Sequence, residues 1–242
     1  SGPRVEVVDR LLDFLNKGLI PVIPAKGSVG ASGDLAPLAH MSGALCGFPE
    51  AEIIYKGKRM PARDAIKKAG LEPDFTLHAK DASALINGST VSLAIAVLAI
   101  YDAKRIRKAA DIGMCLSLEA MRGELAAFDP RVHKARPHEG QRKIASNIRK
   151  ITEGSKRCSA DARETLYPDE ARAAGKAPPP RVQDVYSLRC TPQVHGPALE
   201  ALDYATKIIS TEINSATDNP LILDRKSTRL NSSHGYISYA VF

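Results

Sequence analysis

Gly27-Ser28-Val29-Gly30-Ala31-Ser32-Gly33-Asp34, running on into Leu35-Ala36-Pro37-Leu38-Ala39-His40, is the stretch on which the reading of this 242-residue chain turns. Apart from Val29 the loop carries no bulky side chain, so its backbone is the working part, free to take crowded conformations closed to other residues. Three ordinary loop types fail against it. A phosphate-cradling loop ends in Gly-Lys-Ser/Thr, whereas this one ends in Gly33-Asp34, an anion where a cation is needed. A dinucleotide fingerprint has G-x-G-x-x-G after a strand; the spacing here is G-x-x-G-x-x-G after a proline-rich turn. A hydrolase elbow has G-x-S-x-G, and Ser32 is followed directly by Gly33. The plain alternative is a helix-entry loop with Ser32 as cap.

The fourteen residues from Gly27 to His40 resemble the signature of the aromatic amino acid ammonia-lyase family. The resemblance implies that Ala31, Ser32 and Gly33 cyclise into a 4-methylidene-imidazol-5-one electrophile, with no external cofactor. The residue types suit such a reaction. The Gly33 amide nitrogen must reach the Ala31 carbonyl carbon past small neighbours, and Ser32 must lose its hydroxyl to leave a methylidene carbon. Two waters depart.

Composition sets the outer bounds. At 44% apolar residues the chain can bury one sizeable core or two small ones. Its longest apolar run, Leu93 to Tyr101, is far too short to span a bilayer. The chain begins Ser1-Gly2-Pro3, with no initiator methionine and no secretory or transit pattern in its opening residues. Cys46, Cys115, Cys158 and Cys190 form no C-x-x-C pair, which argues against a zinc knuckle or a disulfide framework and suits a reducing cytoplasm. The net charge of +7 is concentrated between Arg131 and Arg157. No aromatics interleave with those cations, so nucleic acid is not the expected partner, and a solvated helical face or an inter-subunit surface is.

Taken in order, Val5 to Asn16 reads as an amphipathic helix burying Val5, Val8, Leu11, Leu12 and Leu15, stopped at Asn16-Lys17-Gly18. Pro21 and Pro24 hold the chain extended into the glycine loop. Leu35 to Cys46 reads as a buried helix whose start favours developing negative charge near the electrophile. Ile53-Ile54-Tyr55 and Arg59-Met60 flank Lys56-Gly57-Lys58 as a small hairpin, and Pro61 opens a helix to Ala69. In Leu85-Ile86-Asn87-Gly88-Ser89-Thr90, Asn-Gly alone is a turn that ends one short helix before Ser89 or Thr90 caps the next. The same six residues resemble the family's second fingerprint, which implies that Asn87 hydrogen-bonds at the electrophile and the substrate amine.

From Val91 to about Ala127 the pattern predicts one helix of roughly 50 Å, apolar all round in its first half and therefore buried in a bundle. Asp129-Pro130 breaks it, and Arg136-Pro137-His138-Glu139-Gly140-Gln141 opens another helix to about Ile151. His133 and His138, with Glu139 nearby, could suggest a metal site, but no third ligand has convincing helical spacing, so surface or packing histidines are expected. This segment resembles Arg-Pro-His-Pro-Gly-Gln of the histidine-specific branch, with Glu139 in place of the second proline. Gly154 to Pro180 reads as a long mobile loop.

Val182-Gln183-Asp184-Val185-Tyr186-Ser187-Leu188-Arg189-Cys190-Thr191-Pro192-Gln193-Val194-His195-Gly196 is a third fingerprint. Gln183, Tyr186 and Arg189 are spaced three apart and share a face if the segment turns helically. A planar guanidinium grips a carboxylate through two hydrogen bonds, which suits an amino-acid substrate. By resemblance Arg189 is the carboxylate clamp, Gln183 its substrate-binding neighbour and Tyr186 a catalytic position, and the wording leans to the histidine-specific branch. Val194 to Ala216 steps as a helix. Asn214-Ser215-Ala216-Thr217-Asp218-Asn219-Pro220 closes it and also resembles the family. After Asp224 the resemblance stops, and residues 225–242 read as translated sequencing adapter outside the 1–224 catalytic region.

The expected fold is mainly α, a long-helix bundle of the ammonia-lyase type with a small β-hairpin excursion. The resemblance implies elimination of ammonia from L-histidine to give urocanate in a cytoplasmic homotetramer. It also implies that residues 3–224 match the front-middle of a longer enzyme, whose tyrosine base lies upstream of Ser1 and whose later substrate contacts lie beyond Asp224, so that the fragment alone is inactive. The alternatives are a phenylalanine or tyrosine ammonia-lyase, an aminomutase using the same electrophile, or an inactive helical fragment.

Overall fold

The computed structural model describes residues 2–29, 33–159, 173–175, 183–218, 221–222 and 228–229. They fall into two units, Ser1–Ala96 with Thr211–Phe242, and Val97–Ser210.

The first unit begins with α1 (Val5–Lys17), which stops at Gly18 as the sequence predicts. Its orientation differs from the expected one. The buried residues are Val7, Arg10 and Phe14, while Val5, Val8, Leu12 and Leu15 stay exposed and Leu11 packs at the edge of the core. The cause is Arg10. Its Nε donates to the Leu45 carbonyl at 3.1 Å, and its guanidinium carbon lies 5.1 Å from the Phe14 ring and 5.5 Å from the Phe75 ring. Stacking on two aromatic faces lets a cation enter a core that apolar periodicity alone assigns to valine and leucine.

β1 (Ile20–Pro21) pairs antiparallel with β2 (Glu52–Tyr55), which pairs with β3 (Lys58–Pro61), so the expected hairpin gains a third, two-residue strand. Ile53 of β2 is fully buried under α2 (Leu35–Leu45) and α3 (Ala62–Lys68), in a core with Leu45, Ala62, Ala65 and Ile66. α4 (Asp81–Ile86) leads through Asn87 to α5 (Thr90–Ala120), and β4 (Leu221–Ile222) pairs with β5 (Thr228–Arg229). The boundary expected after Asp224 lies outside the described residues, within the span that joins these two strands.

α5 is 31 residues long and stops seven residues short of the expected end. Arg122 takes a positive φ of 51°, and a Cβ on Gly123 would stand 2.2 Å from a Leu118 methyl, so the chain turns tightly back on the last helical turn. A short 3-10 turn, Leu125–Phe128, follows. Ile95, Leu98 and Tyr101 in the first half are exposed rather than buried, because no described element of the chain covers them.

In the second unit the rest of α5 joins α6 (Pro130–Ala135), α7 (Glu139–Ile151), α8 (Tyr186–Arg189) and α9 (Thr191–Ile213) around Leu118, Phe128, Ile144, Ile148 and Leu199. α9 starts three residues earlier than the apolar steps suggest, since Pro192 suits a first turn whose N–H groups have no intrahelical partner. α7 and α9 meet backbone to backbone: a Cβ on Gly140 would lie 2.3 Å from the Gly196 carbonyl oxygen, and one on Gly196 2.6 Å from the Gln141 nitrogen. Farther along, the Asp111 carboxylate of α5 takes Arg107 Nη1 at 2.6 Å and lies 2.8 Å from His195 Nδ1 of α9.

His133 is the packing histidine that the sequence suggests. It is 1% exposed, and its Nε2 lies 3.0 Å from the Ala127 carbonyl, which can only accept, so Nε2 carries the proton. Nδ1 then accepts from Gln141 Nε2 at 3.0 Å, and Gln141 Oε1 accepts from Arg136 Nη1 at 3.1 Å. Burial holds this imidazole below its ordinary pKa against the opposing pull of the Ala127 carbonyl. The expected mobile loop is anchored at its start: Cys158 is buried, and Arg157 Nε donates to the Glu119 carbonyl at 2.9 Å. The rest of that loop, 160–172 and 176–180, lies outside the described residues.

Candidate active site

Gly30, Ala31 and Ser32 lie outside the described residues, so the environment of the tripeptide is read from Gly33 onward. Gly33 has φ +86° and forms a parallel bridge with Gly88. A Cβ at Gly33 would sit 2.3 Å from the Gly88 carbonyl oxygen, which makes glycine obligatory there on both counts. The Asp34 amide donates to that same carbonyl at 2.7 Å. The structure thus brings the C-terminal glycine of the tripeptide and the Asn87-Gly88 turn together in the first unit.

Asp34 is the residue of this region that motif reading missed. It is 4% exposed, and although it precedes α2 it does not cap that helix. Its carboxylate turns to α5: Oδ2 accepts the Ser92 amide at 2.7 Å, and Oδ1 accepts the Ser92 hydroxyl at 2.8 Å and the Ser28 hydroxyl at 3.2 Å. An anion against the first-turn N–H groups of a 31-residue helix is favoured by their dipoles. One side chain therefore ties both flanks of the glycine loop to the helix that follows Asn87. The only sequence signal was an aspartate where a phosphate loop would want a lysine.

Asn87 ends α4 with extended backbone (ψ 90°), and its amide donates to the Ser83 carbonyl at 3.0 Å. The Ser89 carbonyl accepts the first helical bond of α5 from Leu93, so the turn separates two helices as its sequence predicts. The entry to α4 is fixed by Asp81, which accepts from Arg4 N (3.0 Å), Arg4 Nε (2.8 Å) and His78 N (2.9 Å). Burial pushes this carboxyl up, but the Arg4 and His78 amides and the Arg4 guanidinium outweigh it and bring it down to about 2. A carboxylate whose folded pKa is depressed contributes stability above its unfolded value near 3.8 and loses it as the pH falls towards 2. Urea midpoints of wild type and Asp81→Asn should therefore differ at pH 6, and the difference should shrink steadily below about pH 4 and vanish only below about pH 2. Parallel acid limbs for the two proteins would show that Asp81 is not held this way.

Gln183, Tyr186 and Arg189 belong to the second unit. Gln183 precedes the helix, whereas Tyr186 and Arg189 close the single turn of α8, so the three do not form one helical face. Arg189 Nε donates to the Asp184 carbonyl at 2.9 Å, and its guanidinium carbon sits 4.3 Å from the Tyr186 ring centroid. These two contacts hold the guanidinium plane. They leave its terminal nitrogens without a hydrogen-bond partner among the described residues, in the fork geometry that matches a carboxylate. Asp184, 5% exposed, accepts the Glu124 amide and so fixes the segment that carries Gln183. Gln183 and Arg189 line one cavity of ≈ 260 Å³, walled also by Val132 and Gln193; Tyr186 is 72% exposed and is not among its walls. Gln193 was not nominated by the sequence. Its Oε1 is buried without a hydrogen-bond partner among the described residues, and the residue lines the same cavity four positions after Arg189.

The sequence pattern described as aromatic amino acid lyase matches residues 1–239. The chain belongs to the aromatic amino acid lyase family. Among curated aromatic amino acid lyases, it is 48% identical over 222 residues to a histidine ammonia-lyase of Alkaliphilus oremlandii and 48% identical to histidine ammonia-lyase 2 of Fusobacterium nucleatum. Each match covers 92% of this chain and 40% of the relative, so the chain spans two fifths of the length of these lyases. Of solved lyase-family structures, phenylalanine aminomutase of Pantoea agglomerans superposes with a TM-score of 0.83 at 32% identity, covering 95% of this chain and 44% of that one. Histidine ammonia-lyase of Trypanosoma cruzi superposes with a TM-score of 0.78 at 32% identity, covering 97% and 40%. The mainly helical architecture with few strands is the fold of this lyase family.

Proposed function

We propose that the chain is the part of a histidine ammonia-lyase that carries its electrophile and its substrate clamp, and that the whole enzyme converts L-histidine to urocanate and ammonia. The observation that carries the reading is the Gly33–Gly88 bridge, which seats the end of Ala31-Ser32-Gly33 against the Asn87 turn at a point where no side chain fits. Those surroundings suit a 4-methylidene-imidazol-5-one made from the three residues. When formed, that group supplies an electrophilic carbon for the substrate amine.

The remaining roles fall to side chains. Asp34 holds the loop to α5, and Asn87 is assigned the hydrogen bond to the electrophile and the amine. Arg189 receives the substrate carboxylate on its terminal nitrogens, Gln183 contributes a polar contact in the same cavity, and Tyr186 orients the guanidinium and is assigned a catalytic position. The histidine ammonia-lyases at 48% identity support histidine as substrate. A phenylalanine or tyrosine ammonia-lyase or aminomutase is the second reading, supported by the aminomutase superposition.

We further propose a cytoplasmic homotetramer. Exposed apolar residues on α1 (Val5, Leu15), α5 (Ile95, Leu98) and α9 (Tyr204, Ile208) support assembly, since an α-helical bundle buries such faces. No helix among the described residues is long and apolar enough to cross a membrane.

The full gene product incubated with L-histidine should release ammonia and urocanate in equal amounts. With phenylalanine or tyrosine it should yield neither an arylacrylate nor a β-amino acid at a comparable rate. Preferential turnover of either carbocyclic amino acid would replace the first reading by the second.

A further inference from the structure

Asn214-Ser215-Ala216-Thr217-Asp218, the stretch after α9, has no role in the reading so far. Yet its last two residues lie along α4, the helix that delivers Asn87. The Lys80 ammonium at the start of α4 donates to Asp218 Oδ1 at 2.9 Å, to Asp218 Oδ2 at 2.7 Å and to Ser83 Oγ at 2.9 Å, so all three of its donors are met. The pair is sheltered, with side chains 18% and 5% exposed. Ser83 in turn accepts the Asn87 amide on its carbonyl at 3.0 Å. At the other end of α4, the point where Gly88 would carry a Cβ lies 3.8 Å from Thr217 Oγ1. Two consecutive residues thus flank the six-residue helix, Asp218 bonding the residue before it and Thr217 lying beside Gly88, two positions past its end.

We propose that Thr217, Asp218 and Lys80 form a brace that positions Asn87 against the glycine loop; this rests on the role given to Asn87 above. A helix of six residues spans about 9 Å and is far below the length at which helices hold themselves in water. Its placement is therefore set by what grips it from outside. Arg4 grips only the start, through Asp81. The Asp218–Lys80–Ser83 chain reaches the residue whose carbonyl carries Asn87, and Thr217 closes the far side at Gly88. These are positioning residues: none of them touches the substrate.

The test uses the full gene product with Asp218→Asn, Lys80→Arg, Thr217→Val and, as control, Arg63→Gln, which breaks the exposed Arg63–Asp74 pair away from α4. Asp218→Asn keeps the shape and removes the charge, stranding a sheltered ammonium. It should lower kcat about tenfold while KM for histidine stays within about twofold, because the Arg189 cavity is untouched. Amide hydrogen exchange should quicken in peptides covering 81–90 and not in those covering 62–70. Lys80→Arg, which keeps a two-pronged cation for Asp218, should keep most of the wild-type rate, and Thr217→Val should show a smaller loss of the same kind as Asp218→Asn. A lowered melting temperature with unchanged kcat and unchanged exchange at 81–90 would reduce the pair to ordinary structural support and overturn the brace. A wild type inactive towards histidine would overturn the proposed function alone, and the exchange arm would still decide the brace.

Discussion

Ser32→Ala should leave the full gene product folded but unable to shed water from the Ala31–Gly33 peptide, and its lyase activity should fall by about a thousandfold or more. Alanine has no hydroxyl to eliminate, so no methylidene carbon can arise, and what remains is positioning without a covalent route. That loss should exceed the hundred- to thousandfold typical of one removed hydrogen-bond donor. Mass spectrometry of the proteolytic peptide separates the outcomes. The wild-type peptide should be lighter than its sequence by two waters, and the variant peptide should have its sequence mass. Folding should be little affected, because the contacts that fix the loop come from Gly33, Asp34, Gly88 and Ser92. An intact, unmodified wild-type peptide recovered from an active preparation would remove the electrophile from the mechanism.

Arg189→Lys should cost about 1.5–3 kcal/mol of transition-state stabilisation, roughly ten- to over a hundredfold in kcat/KM. Lysine keeps the charge but cannot do what the structure asks of this side chain. One guanidinium nitrogen binds the Asp184 carbonyl, the plane lies over Tyr186, and the two terminal nitrogens point onward as a fork. An ammonium presents its donors from a single point, so it cannot hold the carbonyl and also offer a planar pair of parallel hydrogen bonds to the carboxylate. Cyclisation at Ser32 should proceed normally in the variant, since the clamp acts on substrate. Histamine, which lacks the carboxylate, should inhibit parent and variant equally. Unchanged kinetics with histidine would take Arg189 out of the site.

Helices α2, α5 and α7 and the β2–β3 hairpin were legible because their signals are local: an apolar period, a proline break, a Lys56-Gly57 turn. The errors share the opposite property. The buried face of α1 is decided by Phe75 and Leu45, which receive Arg10 from distant parts of the chain. Strand β1 is two residues long, contains Pro21, and exists only because Ile53 and Ile54 pair with it. The stop of α5 at Ala120 depends on Gly123 packing under Leu118. The site divides along the same line. Motif wording nominated Ala31, Ser32, Gly33, Asn87, Gln183, Tyr186 and Arg189. It passed over Asp34, whose partner Ser92 is 58 positions away, and Gln193, whose distinction is a buried oxygen that no pattern reveals.

The clamp of Asp34 on Ser92 also has a consequence in time. Helix turns and the hairpin form within microseconds from neighbours in sequence, but this contact must close a loop of 58 residues, at an entropic cost that local structure does not repay. It belongs to the late, non-local part of folding. The proposed ring closure, if it needs Gly33 pressed against Gly88, would have to wait for that contact. A growing chain that has not yet exposed Ser92 would carry an ordinary Ala-Ser-Gly, and dehydration at Ser32 would serve as a covalent record that this part of the fold had been completed.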